Sequence, residues 1–137
     1  MSLFNVFDIA GSAMSAESVR LNTTASNLAN AQSVGSSEET TYHARHPVFS
    51  AVMKSLGDGG QSVGVEVKEI VQSNTPLEKR YQPGHPMANE EGNVFLPNVN
   101  VIEEMANMIS ASRSYQTNVE VLNTSKQMLM RTLSLGE

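Results

Sequence analysis

A chain of 137 residues is long enough for one core, but 5% aromatics and no Trp deprive it of the bulky anchors of a large globular interior. A net charge of -5 argues against nucleic acid or an anionic membrane as partner, and the absence of Cys excludes disulfides and thiolate chemistry. Charged residues make up only 17%; Asn, Ser, Thr and Gln replace them, polar enough for water yet able to pack and hydrogen-bond.

The opening "MSLFNVFDIAG" has no basic stretch and no long apolar run, so a cleaved secretory signal is not expected. Nowhere does the chain approach the roughly 20 consecutive apolar residues of a membrane span. Residues 1–31 read as an N-terminal helix. Phe7, Met14, Leu21 and Leu28 recur every seven residues, with Leu3, Ala10, Thr24 and Ala31 about midway and Glu17 interrupting that second series. Within this helix "LNTTASNLANA" (21–31) carries no charge at all. A solvated helix covers its outer face with Glu, Lys and Arg, so this polar face is expected to meet other helices.

Residues 32–100 form an irregular middle with some β structure. "QSVGSSEETT" (32–41) is a polar loop, Pro47 pushes His46 towards an extended conformation, and a short apolar segment runs from Val48 to Met53. "GDGGQ" (57–61) is a turn. "SVGVEVKEIV" alternates, Val63, Val65 and Val67 on one side and Glu66 and Lys68 on the other, which predicts a strand. "NVFLP" (93–97) is a second short strand, and the intervening "NTPLEKRYQPGHPMANEEG", with Pro76, Pro83 and Pro86, reads as loop.

The C-terminal segment, 101–137, is the most regular. Val101, Met105, Met108, Ser112, Tyr115, Val119, Leu122, Lys126, Leu129 and Leu133 step by four and three without a slip, which predicts a helix about 50 Å long. Asn100 is placed to cap it, Glu103 to complete a capping box and Gly136 to stop it. The fold class is therefore mainly α: two long terminal helices paired as a coiled-coil-like hairpin, with a small β-containing insert. Such a hairpin buries one stripe per helix, so the remaining faces need partners, most simply copies or relatives of the same chain.

Catalytic constellations are weak. His43 and His46 with a distant His85 lack the Cys or paired carboxylates that would complete a metal site, and "PGHP" is a turn motif. There is no Gly-x-Ser-x-Gly elbow, Glu90 and Glu91 are neighbours in a loop, and "GDGG" lacks the Lys of a phosphate loop. Met105, Met108, Met128 and Met130 read as adaptable packing, and Lys126 snorkels along the seam or marks a different neighbour. No enzyme, cofactor or metal is expected.

At this point the residues resemble the axial proteins of the bacterial flagellum and, within them, proximal rod proteins of the C type. "SAMSAESVRLNTTASNLANA" (12–31) is similar to their N-terminal signature, with Leu21, Asn22, Ala25, Ser26, Asn27, Leu28, Ala29 and Asn30 on the motif. "ASRSYQTNVEVLNTSKQM" lies in the matching C-terminal helix, and "YHARHPVF", "YQPGHP" and "PNVNV" fit the middle. The departures are Met87, Ala88 and Asn89 where an acidic residue is expected, and Asn93 where an aromatic is. The resemblance implies a structural subunit exported unfolded by the flagellar type III route, without a cleaved signal. It would assemble helically in the periplasm, transmitting torque through its terminal helices. Implied partners are copies of itself, other rod proteins, and base-ring and rod adaptor proteins, with no nucleic acid and no membrane insertion.

On that reading Phe7, Met14, Leu21, Leu28, Met105, Met108, Tyr115, Val119, Leu122 and Leu129 are the expected packing residues of the assembly. Asn22, Asn27, Asn30, Asn118 and Asn123 are the expected inter-helix or inter-subunit hydrogen-bonders. A periplasmic enzyme acting on cell-wall glycan and a soluble helical adaptor are the rival readings.

Overall fold

The computed structural model describes residues 3–56 and 60–135. Helix α1 (Leu3–Asn30) is followed by strands β1 (Arg45–Leu56), β2 (Gly60–Gln72), β3 (Glu78–Tyr81) and β4 (Asn93–Leu96), and helix α2 (Val101–Leu135) closes the chain. Both helices extend over the segments whose heptad spacing predicts them. The expected stop at Gly136 and the first residues of the 57–61 turn lie outside the described residues.

Helix α1 has no acidic residue in its first turn and no basic one in its last, so nothing on it complements its dipole. Several of its weak helix formers turn back on their own helix. Thr23 Oγ1 donates to the Val19 carbonyl at 2.8 Å, Ser12 Oγ to Ile9 at 2.8 Å and Asn30 Nδ2 to Ser26 at 2.9 Å. Its stability must come from packing. Helix α2 has a better-specified start: the Asn100 Oδ1 accepts from the amides of Ile102 at 3.1 Å and Glu103 at 3.4 Å. Asn100 is thus the N-cap, although no return bond from the Glu103 side chain joins it among the described residues.

β1 and β2 form an antiparallel ribbon in which Arg45 faces Gln72 and Met53 faces Val63. The expected apolar segment, Val48 to Met53, is the middle of β1. Pro47 is tolerated because a two-stranded ribbon has free edges. Register slips between Val48 and Phe49, opposite Glu69 and Val67, leaving Lys68 as the extra residue of a bulge. That slip follows the sequence: the valine alternation 63, 65, 67 resumes at Ile70, one residue late.

The ribbon lies lengthwise on α1. Asn27 bonds the Arg45 backbone at one end, and Ser12 Oγ accepts from the Val65 amide at 3.2 Å at the other. Fifteen helical residues rise about 22 Å. Six strand residues, from Arg45 to the Ala51 that pairs with Val65, span about 20 Å, so the two lengths match. Gly64 turns its hydrogen to this contact, where a Cβ would stand 3.1 Å from Ser12 Oγ.

β3 and β4 make a second antiparallel pair, extended by a bridge between Gly35 and Phe95. β3 corrects the expectation of a loop from Asn74 to Gly92: its four residues are all exposed, so no burial pattern marks them in the sequence. The β4 partner supplies buried Val94 and Phe95. Asn98 ties this region to the ribbon's root, accepting from the Ala44 amide at 2.8 Å and donating to the Thr75 carbonyl at 2.6 Å.

The buried apolar residues are small: Ala10, Ala16, Ala44 and Ala111, with Val94 and Phe95. In α2 the buried residues are Glu104, Ala111 and Ser125, with Asn118 between them half-buried; all four are spaced by seven. This corrects the face of the stripe. Met108, Leu122 and Leu129 flank that seam half-buried, whereas Val101, Met105, Tyr115, Lys126 and Leu133 are exposed. The period was legible in the large apolar residues, but close approach of two helix backbones selects the small ones.

Candidate assembly surface and its polar anchor

Asn27 is wholly buried and uses its full hydrogen-bonding capacity. Its Nδ2 donates to the Arg45 carbonyl at 2.8 Å and to Glu104 Oε2 at 3.1 Å. Its Oδ1 accepts from the Arg45 amide at 3.0 Å and from the Tyr42 hydroxyl at 2.8 Å. One side chain of α1 thereby holds the start of β1, the preceding loop and the first turn of α2. Glu104, 3% exposed, also has its Oε1 3.9 Å from His46 Nδ1 on β1. A second link joins the helices where Arg20 donates to Asn107 Oδ1 at 3.1 Å, beside its own ion pair with Glu17. Moving back along α1 from Asn27 to Arg20 moves forward along α2 from Glu104 to Asn107, so the helices run antiparallel.

The other asparagines behave differently. Asn30 and Asn118 bond the carbonyl four residues back in their own helices, Ser26 and Ser114, while Asn22 and Asn123 are exposed. Of the five, only Asn27 reaches across to another element among the described residues. Glu104, Tyr42 and Arg45 were missed as its partners. For Glu104 the available signal was the heptad of small and polar residues Glu104, Ala111, Asn118 and Ser125, hidden beside a more conspicuous apolar one.

Phe7, Met14, Leu21 and Leu28 are half-buried on α1, as are Met108, Val119, Leu122 and Leu129 on α2. Met105 and Tyr115 are exposed, and so are Ile102 at 80% and Ile109, which extend an apolar strip along the outer face of α2. The ribbon adds a second surface. The pairs Phe49–Val67, Ala51–Val65 and Met53–Val63 share the face opposite to Gly64, away from α1, and Phe49, Met53 and Val63 are exposed. Large exposed apolar patches are a general signature of interaction surfaces.

A cleft of about 720 Å³ opens between Asn30, Thr41, Tyr42, His43, Arg45 and Gln72, and among the described residues Glu39 is the one carboxylate that lines it. Glycoside hydrolysis uses two flanking carboxylates, which this cleft does not bring together. His43 and His46 diverge, His43 Nε2 lying 3.3 Å from the Glu38 carbonyl and His46 facing Glu104, while His85 Nδ1 accepts from the Met87 amide. Among the described residues no helix is long and apolar enough to cross a membrane.

Two family models match the chain: that of the flagella basal body rod protein over residues 7–35, and that of the flagellar basal body rod FlgEFG protein C-terminal over residues 90–135. Asn27 and Glu104, in contact here, lie one in each. The chain is 50% identical over 137 residues to the flagellar basal-body rod protein FlgC of Escherichia coli O6:H1, covering all of both chains. It is 49% identical to that of Salmonella typhimurium and 38% to that of Buchnera aphidicola subsp. Baizongia pistaciae, again over the full length of both. Full-length identity at this level, on a fold whose two terminal helices carry the two family segments, shows that the chain belongs to the flagellar basal-body rod protein family, with the FlgC proteins.

Proposed function

We propose that this chain is a structural subunit of the proximal rod, assembling helically with copies of itself and with other rod proteins to carry torque across the periplasm. The observation that supports this most is the outward apolar surface of α2 and the ribbon, set on a subunit whose own interior consumes mainly small residues. In this reading the α1–α2 seam is the first, coiled-coil-like layer of packing. Tyr115, Met105 and the half-buried leucines at its margins are the second, closed by neighbouring subunits. Asn22 and Asn123, exposed in the monomer, are the amides left for inter-subunit hydrogen bonds; Asn27 serves the subunit's own closure. After export the chain docks between the base ring and the more distal rod.

The test is complementation of a strain lacking the chain. Met105→Asp combined with Ile109→Asp is expected to leave the purified monomer's helix content unchanged while abolishing rod assembly and swimming. Normal basal bodies from that variant would remove α2's outer face from the interface. Clearing of peptidoglycan by purified protein would favour the cell-wall enzyme instead.

A further inference from the structure

Asn27 does more than fill a buried site, because of which atoms it holds. The same side chain grips both the amide and the carbonyl of Arg45, at 3.0 and 2.8 Å, the first residue of β1. The residue that takes the amide's second proton from the far side is Glu104, which belongs to the last element of the chain. A primary amide rotates about its Cβ–Cγ bond, and its two faces differ only in O and NH2. With Glu104 Oε2 accepting one Nδ2 proton, the amide is held with Nδ2 towards α2 and the Arg45 carbonyl, and with Oδ1 towards the Arg45 amide and Tyr42. Without that acceptor one buried N–H lacks a partner, so the Arg45 amide and carbonyl still set which way the Asn27 amide faces, but holding it there carries the cost of the unpaired proton.

We propose that Asn27 and Glu104 form a closure latch: docking of α2 supplies the acceptor for the second Nδ2 proton of Asn27, and the root of the β-ribbon is held more firmly onto α1 in the closed subunit than before α2 docks. The latch goes beyond the role of rod subunit, since assembly could proceed from independently folded parts. It couples the firmness of the ribbon's attachment to the chain's final helix. A partly available chain then presents α1 and a loosely rooted ribbon, and the rigid ribbon face exists only in the closed subunit. The charged or titratable groups at the node are Glu104, the Arg45 side chain, which lies over the Tyr42 ring at 5.6 Å, Tyr42 itself and His46.

Amide hydrogen exchange on the full-length monomer tests this, read at Arg45 and at Val67–Gln72. Glu104→Met keeps the volume but removes the acceptor; Glu104→Gln keeps an acceptor. Asn27→Ala and Glu104→Met are each expected to speed exchange at Arg45 at least tenfold. The double variant should be no more than threefold faster than the faster single one, because both break one device. Glu104→Gln should stay within threefold of the parent. Overturning results are an Arg45 amide unmoved by Glu104→Met, or effects that multiply in the double variant. A measurement needing no substitution guards against variants that fail to fold: in the parent protein both Asn27 Nδ2 protons should be protected from exchange, and free exchange of either would refute the latch.

Discussion

The two helices share a heptad period but occupy opposite situations in the subunit. α1 is enclosed by its own chain, with α2 on one side and the ribbon on another; Asn5, Ala10, Ala16, Thr23, Thr24 and Asn27 are buried along it. α2, longer by seven residues, buries only Glu104, Ala111 and Ser125. The enclosed helix is written in Asn, Thr, Ser and Ala because its neighbours come close and must be hydrogen-bonded. The outer helix keeps Ile, Met, Tyr and Leu on faces that its own chain does not cover. On α2 the large apolar side chains are therefore mostly the less covered ones, while small or polar residues mark the inside of the helix pair.

This contrast can be broken at several points. Asn27→Leu is expected to destabilise the monomer by about 2–4 kcal/mol, since the Arg45 amide and carbonyl and Glu104 Oε2 would lose their partner together, while the Tyr42 hydroxyl keeps Ser26 Oγ at 3.2 Å; urea unfolding measures it. Ala111→Leu, at a fully buried seam position, should cost about 1–3 kcal/mol by overpacking, seen in the same assay. Asn100→Ala removes the cap of α2 and should cost about 1 kcal/mol, with fraying at the helix start in amide exchange. Ile109→Ser, on the outer face of α2, is expected to change monomer stability by no more than about 0.5 kcal/mol. An effect on the order of that of Ala111→Leu would erase the distinction between the helices.

Helix extents, the cap at Asn100 and the β character of 63–67 were legible because period and turn chemistry are local properties. The seam was not. Heptad spacing fixes which residues share a stripe but not which of two adjacent stripes faces the partner, and hydrophobicity pointed to Met105 and Tyr115 when proximity had chosen Glu104 and Ala111. β3 escaped for a different reason: Glu78–Tyr81 has no buried residue, and its pairing is dictated by Val94 and Phe95 across the sheet. Asn27 was legible as a residue in search of a partner, while the partner's identity depended on a contact 77 positions away.

The bulge at Lys68 divides the ribbon into two mechanically distinct lengths. Below it, residues 45–48 and 69–72 are held by Asn27 and, through Ala44 and Ser73, by Asn98. Above it the ladder runs on its own pairing, touching α1 near Ser12. A bulge concentrates twist and bending at one residue. Lys68, with no residue opposite it, is thus the place where the ribbon turns from the part anchored by Asn27 and Asn98 to the part resting on Ser12. A spectroscopic label there would report on that bend while disturbing no cross-strand pair.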